Sequence, residues 1–274
     1  MKNPFEPSLL ARPDGGARFG GNWIWGAVPQ GFERITDARG RRLLVRQDRA
    51  AHIDVSLCDS DAGGAVQESN YSGRGRLRAV SLPDGETALI RAYRHGGLLR
   101  ALTGRWFCSW PPRPFRELAV TEELRRRGLR TVEVYAACVG RPVGPFYRGW
   151  LITRELRGAE DFWSALQSGA VEQVGRAAAL RAVAASLRAM HREGVYHADL
   201  NLRNILLRIE EGRPASYIID YDRARLFFGA LPAPSARRNL ARLRRSAQKL
   251  DPEGRYFPEA AWRELVAFYH EDRA

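Results

Sequence analysis

The stretch VYHADLNLRNILL, residues 195–207, sets a carboxylate, Asp199, and a side-chain amide, Asn204, five positions apart between apolar flanks. A second apolar run, YIIDYDRARL over 217–226, follows at once and places another acid, Asp220, after its apolar core. Runs of this length and composition predict short buried strands, here the segments NILLRI and SYIID joined by the turn EEGRP. The plainest reading of Asp199 and Asn204 is that they cap a turn between a helix and a strand. That reading leaves the second acid, at the end of the next strand, without a purpose. Carboxylate and amide oxygens held by a rigid hairpin suit a hard cation and a triphosphate.

The spacing agrees. HADLNLRN matches H-x-D-L-x-x-x-N, the catalytic-loop pattern of protein-kinase-like enzymes. In phosphoryl transfer the protein mainly positions groups and neutralises charge. Asp199 suits the group that orients an acceptor hydroxyl and takes its proton. Asn204 and Asp220 suit Mg²⁺ ligands.

The other half of such an enzyme is expected upstream. YSGRGRLRAV, 71–80, carries Gly73, Gly75 and Val80 in the pattern G-x-G-x-x-G-x-V, with Arg78 where the third glycine would stand. Glycines let a hairpin backbone approach phosphates closely, and they equally make an ordinary turn. The strand GETALIRAYR, 85–94, aligns with V-A-I-K but ends its motif on Arg91 rather than lysine. An arginine fork can pair both phosphate and carboxylate. Glu117, on the predicted helix RPFRELAVTEELRRRGL, is the expected ion-pair partner, with Glu122 and Glu123 expected toward solvent. The alternative is that Arg91 is an outward-facing strand residue.

Strands are also predicted at RLLVRQ, RLRAVSL and FYRGWLITREL. Helices are predicted at DFWSALQSG, at VEQVGRAAALRAVAASLRAMHREG as one long element, at SARRNLARLRRSAQKL and at FPEAAWRELVAFYH. The position before Asp199 is Ala198, and the motif after the metal site is Asp220-Tyr221-Asp222. Only RARLFFGALPAPSA separates it from the basic helix, with no A-P-E element. Control through an activation-loop phosphate and a peptide-binding platform are therefore unsupported, and a small or sugar acceptor fits better.

The chain has 274 residues, 45% of them hydrophobic, with 7 Trp, 11 Phe and 9 Tyr, enough for a real core in one large domain or two lobes. Its net charge of +13 favours anionic partners. Lys2 and Lys249 are its only lysines. Such arginine-rich usage also follows genome composition, so charge alone names no partner. Cys58, Cys108 and Cys138 are odd in number and far apart, which fits a reducing compartment rather than a disulfide framework. No signal-peptide pattern and no apolar run near the ~20 residues that span a bilayer is evident.

As an ordered set, YRHGGLLRAL, RPFRELAVTEELRRRGL, GPFYRGWLITREL, YHADLNLRNILL, IIDYDRARL and RRNLARLRRSAQKL resemble the bacterial 3-deoxy-D-manno-octulosonic acid (Kdo) kinases, near relatives of the lipopolysaccharide heptose kinases. The resemblance runs from about Arg91 to Leu250. It implies an α+β, protein-kinase-like, two-lobed fold. A strand-rich N-lobe is expected over 1–150, a hinge over 151–158, and a mostly helical C-lobe over 159–274 with the catalytic loop, metal site and acceptor site.

The resemblance further implies ATP-dependent phosphorylation of the Kdo 4-hydroxyl on a lipid A precursor, at the cytoplasmic face of the inner membrane. Asp199 would be the base, Asn204 and Asp220 the Mg²⁺ ligands, and Gly73, Gly75, Arg91 and Glu117 the nucleotide site. Arg94, Arg244 and Arg245 are candidate acceptor contacts, or simply a solvated face. Trp106 and Trp110 could meet a membrane interface or pack on the lobe. An anionic membrane surface is an expected partner; nucleic acid and a protein partner are not. The competing classes are another small-molecule or sugar kinase of the same superfamily, a heptose kinase or an aminoglycoside- or choline-type phosphotransferase, and a non-catalytic pseudokinase suggested by Arg91.

Overall fold

The computed structural model describes residues 26–58, 77–93, 106–140 and 146–271. The architecture is α+β, and the described residues divide into two compact units. One comprises 26–124 with 132–155, the other 125–131 with 156–271.

The first unit is a six-stranded antiparallel sheet. Its strands are β1 (Phe32–Thr36), β2 (Arg42–Arg46), β3 (Leu77–Ser81), β4 (Thr87–Ala92), β5 (Val134–Val139) and β6 (Gly149–Arg154), in the order β1-β2-β5-β6-β4-β3. Alternation sends Leu43, Val45, Ile90 and Ile152 to one face, against Ile53 and Val55. Leu44, Ala137, Val139 and Leu151 go to the other, against Phe115 and Leu118 of helix α1 (Arg113–Arg126). Each such side chain contributes about 1.5–3 kcal/mol on full burial. Gly149 lets α1 sit close: a Cβ there would stand 2.4 Å from Cγ of Pro114.

β1 and β5 add to the expected strands. β5 is buried along its whole length, because both faces of this central strand are covered. A continuous apolar run of that kind carries no period to read. The register of β5 on β6 also slips between Val134 and Ala136, so Val134 joins one core and Ala136 the other. The hinge expected at 151–158 is in fact strand through Arg154, and the chain changes unit after Glu155.

The second unit opens with β7 (Ala159–Asp161) and α2 (Phe162–Ser168), whose N-cap Asp161 accepts from the Ser164 N–H at 3.1 Å. The long helix predicted next is two helices, α3 (Ala170–Gln173) and α4 (Arg176–Arg192). Gly175 stands between them at φ 85°, a conformation that ends a right-handed helix. α4 then buries Leu180, Val183, Leu187 and Met190 on one stripe.

After α4 come β8 (Val195–Tyr196), β9 (Ile205–Glu210), β10 (Arg213–Ile218) and β11 (Arg225–Leu226). β9 lies between β10 and β7, and β8 pairs with β11. The β9–β10 hairpin pairs Ile205 with Ile218 and turns at Glu211–Gly212, both at positive φ. Two helices end the unit, α5 (Ala233–Leu250) and α6 (Glu259–His270). Cys58, Cys108 and Cys138 are free thiols.

Candidate active site

The hairpin register decides the site. Asn204 immediately precedes β9, Ile219 immediately follows β10, and the Ile219 N–H donates to the Asn204 carbonyl at 3.0 Å. Asp220 therefore lies next to Asn204 at the open end of the hairpin. It is not the last strand residue, as the apolar run suggested. β10 stops at Ile218, and Asp220 takes φ 67°, left-handed and uncommon outside glycine. The third member arrives through the loop: Nδ2 of Asn204 and Nδ2 of Asn201 both donate to the Asp199 carbonyl at 2.8 Å. That bond commits the nitrogen end of the Asn204 amide. Its oxygen takes no donor among the described residues and keeps its lone pairs for a ligand.

His197 fastens the two segments to each other. It is buried, and its Nδ1 accepts from the Asp199 N–H at 3.2 Å. Nε2–H then donates to the Ile219 carbonyl at 2.9 Å, which sets the tautomer. Its ring packs tilted on Tyr221 at 5.1 Å. Burial holds its pKa below the ordinary 6.5, against the opposing pull of the Ile219 carbonyl and the Asp220 and Asp199 carboxylates. The imidazole is thus neutral at neutral pH and works as a two-sided hydrogen-bond clasp.

In the strand unit, β4 turns Ile90 and Ala92 to one core and Arg91 to the opposite face. There an Arg91 guanidinium nitrogen lies 2.5 Å from both carboxylate oxygens of Glu117, which is buried on α1. The Tyr93 hydroxyl also donates to Glu117, and the Arg91 guanidinium stands 5.0 Å from the Tyr93 ring centre. The outward-facing alternative for Arg91 is excluded, since its side chain is paired. Glu122 and Glu123 are half-buried rather than turned to solvent, and Glu122 accepts from the Val134 N–H at 3.1 Å.

Gly73, Gly75 and Arg94 lie outside the described residues. Arg244 pairs with Glu259 at 2.8 Å, while Arg245 is exposed. Trp106 is half-buried with Arg148 4.8 Å from its ring, and Trp110 tilts against Tyr147 at 5.9 Å. Three residues of consequence escape a reading by motif: His197 as a clasp, Tyr93 as a partner of Glu117 beside Arg91, and Asn239. For Asn239 a signal existed. It falls in the buried phase of α5 with Ala236, Leu240 and Leu243, where an amide is out of place.

Such a layout leaves the protein little covalent work. It presents hard oxygen atoms and a fixed carboxylate, which is what moving a phosphoryl group onto an alcohol requires. Fold and site define a phosphotransferase of the protein-kinase-like class. Residues 58–269 match the Lipopolysaccharide kinase (Kdo/WaaP) family, and the chain belongs to that family.

A 3-deoxy-D-manno-octulosonic acid kinase of Vibrio vulnificus (strain YJ016) is 34% identical over 213 residues, covering 76% of this chain and 85% of its own. One of Xylella fastidiosa (strain 9a5c) is 33% identical over 201 residues, covering 70% and 73%. The solved structure titled "WaaP in complex with acyl carrier protein" compares with a TM-score of 0.47 and 20% identity, covering 72% of this chain and 74% of that one.

Proposed function

We propose that the protein is an ATP-dependent kinase acting on Kdo carried by a lipid A precursor, with the 4-hydroxyl as acceptor, in assembly of the lipopolysaccharide inner core. The observation that carries this reading is the tie of Asn204 to the Asp199 carbonyl on one side and to Ile219, the neighbour of Asp220, on the other, in a chain whose relatives bear the Kdo kinase name. Asp199 orients the acceptor hydroxyl and takes its proton as that oxygen bonds to phosphorus and the terminal phosphoryl group leaves ADP. Arg91, aligned by Glu117 and Tyr93, holds nucleotide phosphate oxygens.

The donor set fits Mg²⁺. The Asn204 amide oxygen takes no donor among the described residues, and Asp220 adds a carboxylate. Among the described residues no group of three or more His, Cys, Asp or Glu forms a metal cage. Two protein oxygens completed by substrate phosphates and water are what Mg²⁺ prefers. When bound, the ion neutralises phosphate charge.

The acceptor is anionic and lipid-linked. A peripheral position at the cytoplasmic face of the inner membrane accords with the net charge of +13 and with exposed Arg237, Arg238 and Arg245 on α5. No helix among the described residues is long and apolar enough to cross a membrane.

The test is incubation with Mg-ATP and Kdo–lipid A precursor, read by mass spectrometry. Gain of one phosphate on Kdo is expected, with no transfer to aminoglycoside, choline or heptose acceptors offered in parallel. Asp199→Asn should lose transfer while binding ATP normally. Transfer to another acceptor alone, or nucleotide binding without any turnover, would overturn the reading.

A further inference from the structure

We infer that Asn239, His191 and Tyr269 are positioning residues that act as one relay, tying the last helix to the backbone of the catalytic loop and setting the transfer rate. The inference rests on the reading of Asp199 as the group at the acceptor hydroxyl.

The relay begins with an anomaly of composition. α5 is a helix of arginines on its outer side and of Ala236, Leu240, Leu243 and Ala247 on its inner side. Asn239 lies among the inner set and is fully buried. Leucine would suit that phase. The amide instead meets the main chain of His197 as a neighbouring strand would. Its Oδ1 accepts from the His197 N–H at 3.0 Å, and its Nδ2 donates to the His197 carbonyl at 2.7 Å.

These two bonds orient the amide, and the rest follows by donor and acceptor matching. Oδ1 of Asn239 also faces Nε2 of His191 at 3.3 Å, so Nε2 must carry the proton. Nδ1 of His191 is then an acceptor, and the Tyr269 hydroxyl lies 2.8 Å from it as the donor. The Tyr269 ring stands edge-on to His191 at 5.6 Å, which holds both planes. Asn239, His191 and Tyr269 are all buried. The chain of contacts therefore runs from α6, through the end of α4 and the middle of α5, to His197. From His197 it passes to Asp199 on one side and Ile219 on the other.

Stability alone does not explain these residues. Replacing buried polar partners together by apolar groups of the same shape is often neutral for a fold, while leaving one unpaired is not. What the polar set adds is direction. A side-chain amide bonded to both main-chain groups of one residue fixes where that peptide lies, and a misplacement of about 1 Å can lower a rate on the order of 10²-fold.

The experiment compares Asn239→Leu, Asn239→Asp, Tyr269→Phe and the Asn239→Leu/Tyr269→Phe double variant with the parent protein. Readouts are kcat and KM for Mg-ATP in transfer to Kdo–lipid A precursor, and amide hydrogen exchange over residues 197–204. Asn239→Leu should lower kcat on the order of 10²-fold with KM for Mg-ATP within about twofold. Loop exchange should speed up. Asn239→Asp keeps the acceptor oxygen but loses the donor to the His197 carbonyl, and should recover only part of the rate. Tyr269→Phe should lower kcat about threefold to tenfold, and the double variant should be no slower than Asn239→Leu alone, because the relay carries Tyr269 to the loop through His191 and Asn239.

Multiplying single effects, or unchanged loop exchange in Asn239→Leu, would overturn the relay. Should Asn239→Leu not fold, nitrogen NMR of His191 decides: the Nε2–H tautomer is expected, shifting in Tyr269→Phe, and the Nδ1–H tautomer overturns the inference. Undiminished turnover in Asp199→Asn would sink the base assignment instead, leaving the exchange and tautomer results standing.

Discussion

The catalytic loop and the Arg91–Glu117 pair hold their polar groups by opposite means. Around Asp199 the side chains of Asn204, Asn201, His197 and Asn239 all bond to main-chain atoms. Around Glu117 the bonds from Arg91 and Tyr93 run from side chain to side chain. A main-chain partner stays in place whatever its own side chain is, so replacing the Asp199 carboxylate tests chemistry, while losing one of the bonding side chains loosens the loop. A side-chain pair has no such reference. Its partners can be exchanged, and a substitution there tests the pair itself.

That contrast can be broken most sharply at Asp220. Asp220→Asn should cut turnover about 10³-fold or more at saturating Mg-ATP, as losing a preorganised charge-stabilising group does. The melting temperature should hold, since asparagine tolerates left-handed φ. Near-normal turnover would dismiss Asp220 as a ligand.

The pair comes next. Arg91→Ala should weaken kcat/KM for Mg-ATP by about 2–3 kcal/mol, the scale of losing a charged hydrogen-bonding partner. Arg91→Lys should recover part of this, because an ammonium cannot reproduce the planar fork. Unchanged kcat and KM in Arg91→Ala would remove it from the nucleotide site. Tyr93→Phe should act in the same direction but more weakly, by about 1–2 kcal/mol, because it removes one donor to Glu117 and leaves the Arg91 pair in place. An equal effect of Tyr93→Phe on a variant that already lacks Arg91 would show that the two do not work as a pair.

The smallest effect concerns His197 and pH. Its folded pKa lies below the ordinary 6.5, so below that pH the unfolded chain binds a proton that the folded chain refuses. Its contribution to stability is complete above about pH 6.5 and is lost as pH falls from there through the folded pKa, by at most about 1.4 kcal/mol per pH unit. Denaturant titrations from pH 8 to 5 should show this slope in the parent and a shallower one in His197→Phe. Identical slopes would deny that the imidazole is held neutral.

Asp199, Asn204 and Asp220 were legible from sequence because a loop and a hairpin are local, and local geometry appears as spacing. The Arg91–Glu117 pairing was legible because the strand motif marks Arg91 and the helix that follows offers Glu117. The break at Gly175 was not, since the apolar repeat runs through it and only the φ of that glycine interrupts the helix. β5 was hidden by having both faces buried. The clasp at His197 and the amide of Asn239 were hidden for a third reason. Their partners are main-chain atoms 22 and 42 residues away, and a main-chain atom leaves no letter in a sequence.

Asp220 carries one more consequence. Its left-handed backbone is a conformation that glycine adopts without penalty and that aspartate, though more tolerant than most residues, still enters at a cost. Asp220→Gly would ease the chain while deleting the carboxylate. A population of variants selected only for surviving heat should therefore drift toward glycine at this position and fall silent as catalysts. The site persists against the grain of folding, and a ranking of variants by thermal resistance would score its loss as an improvement.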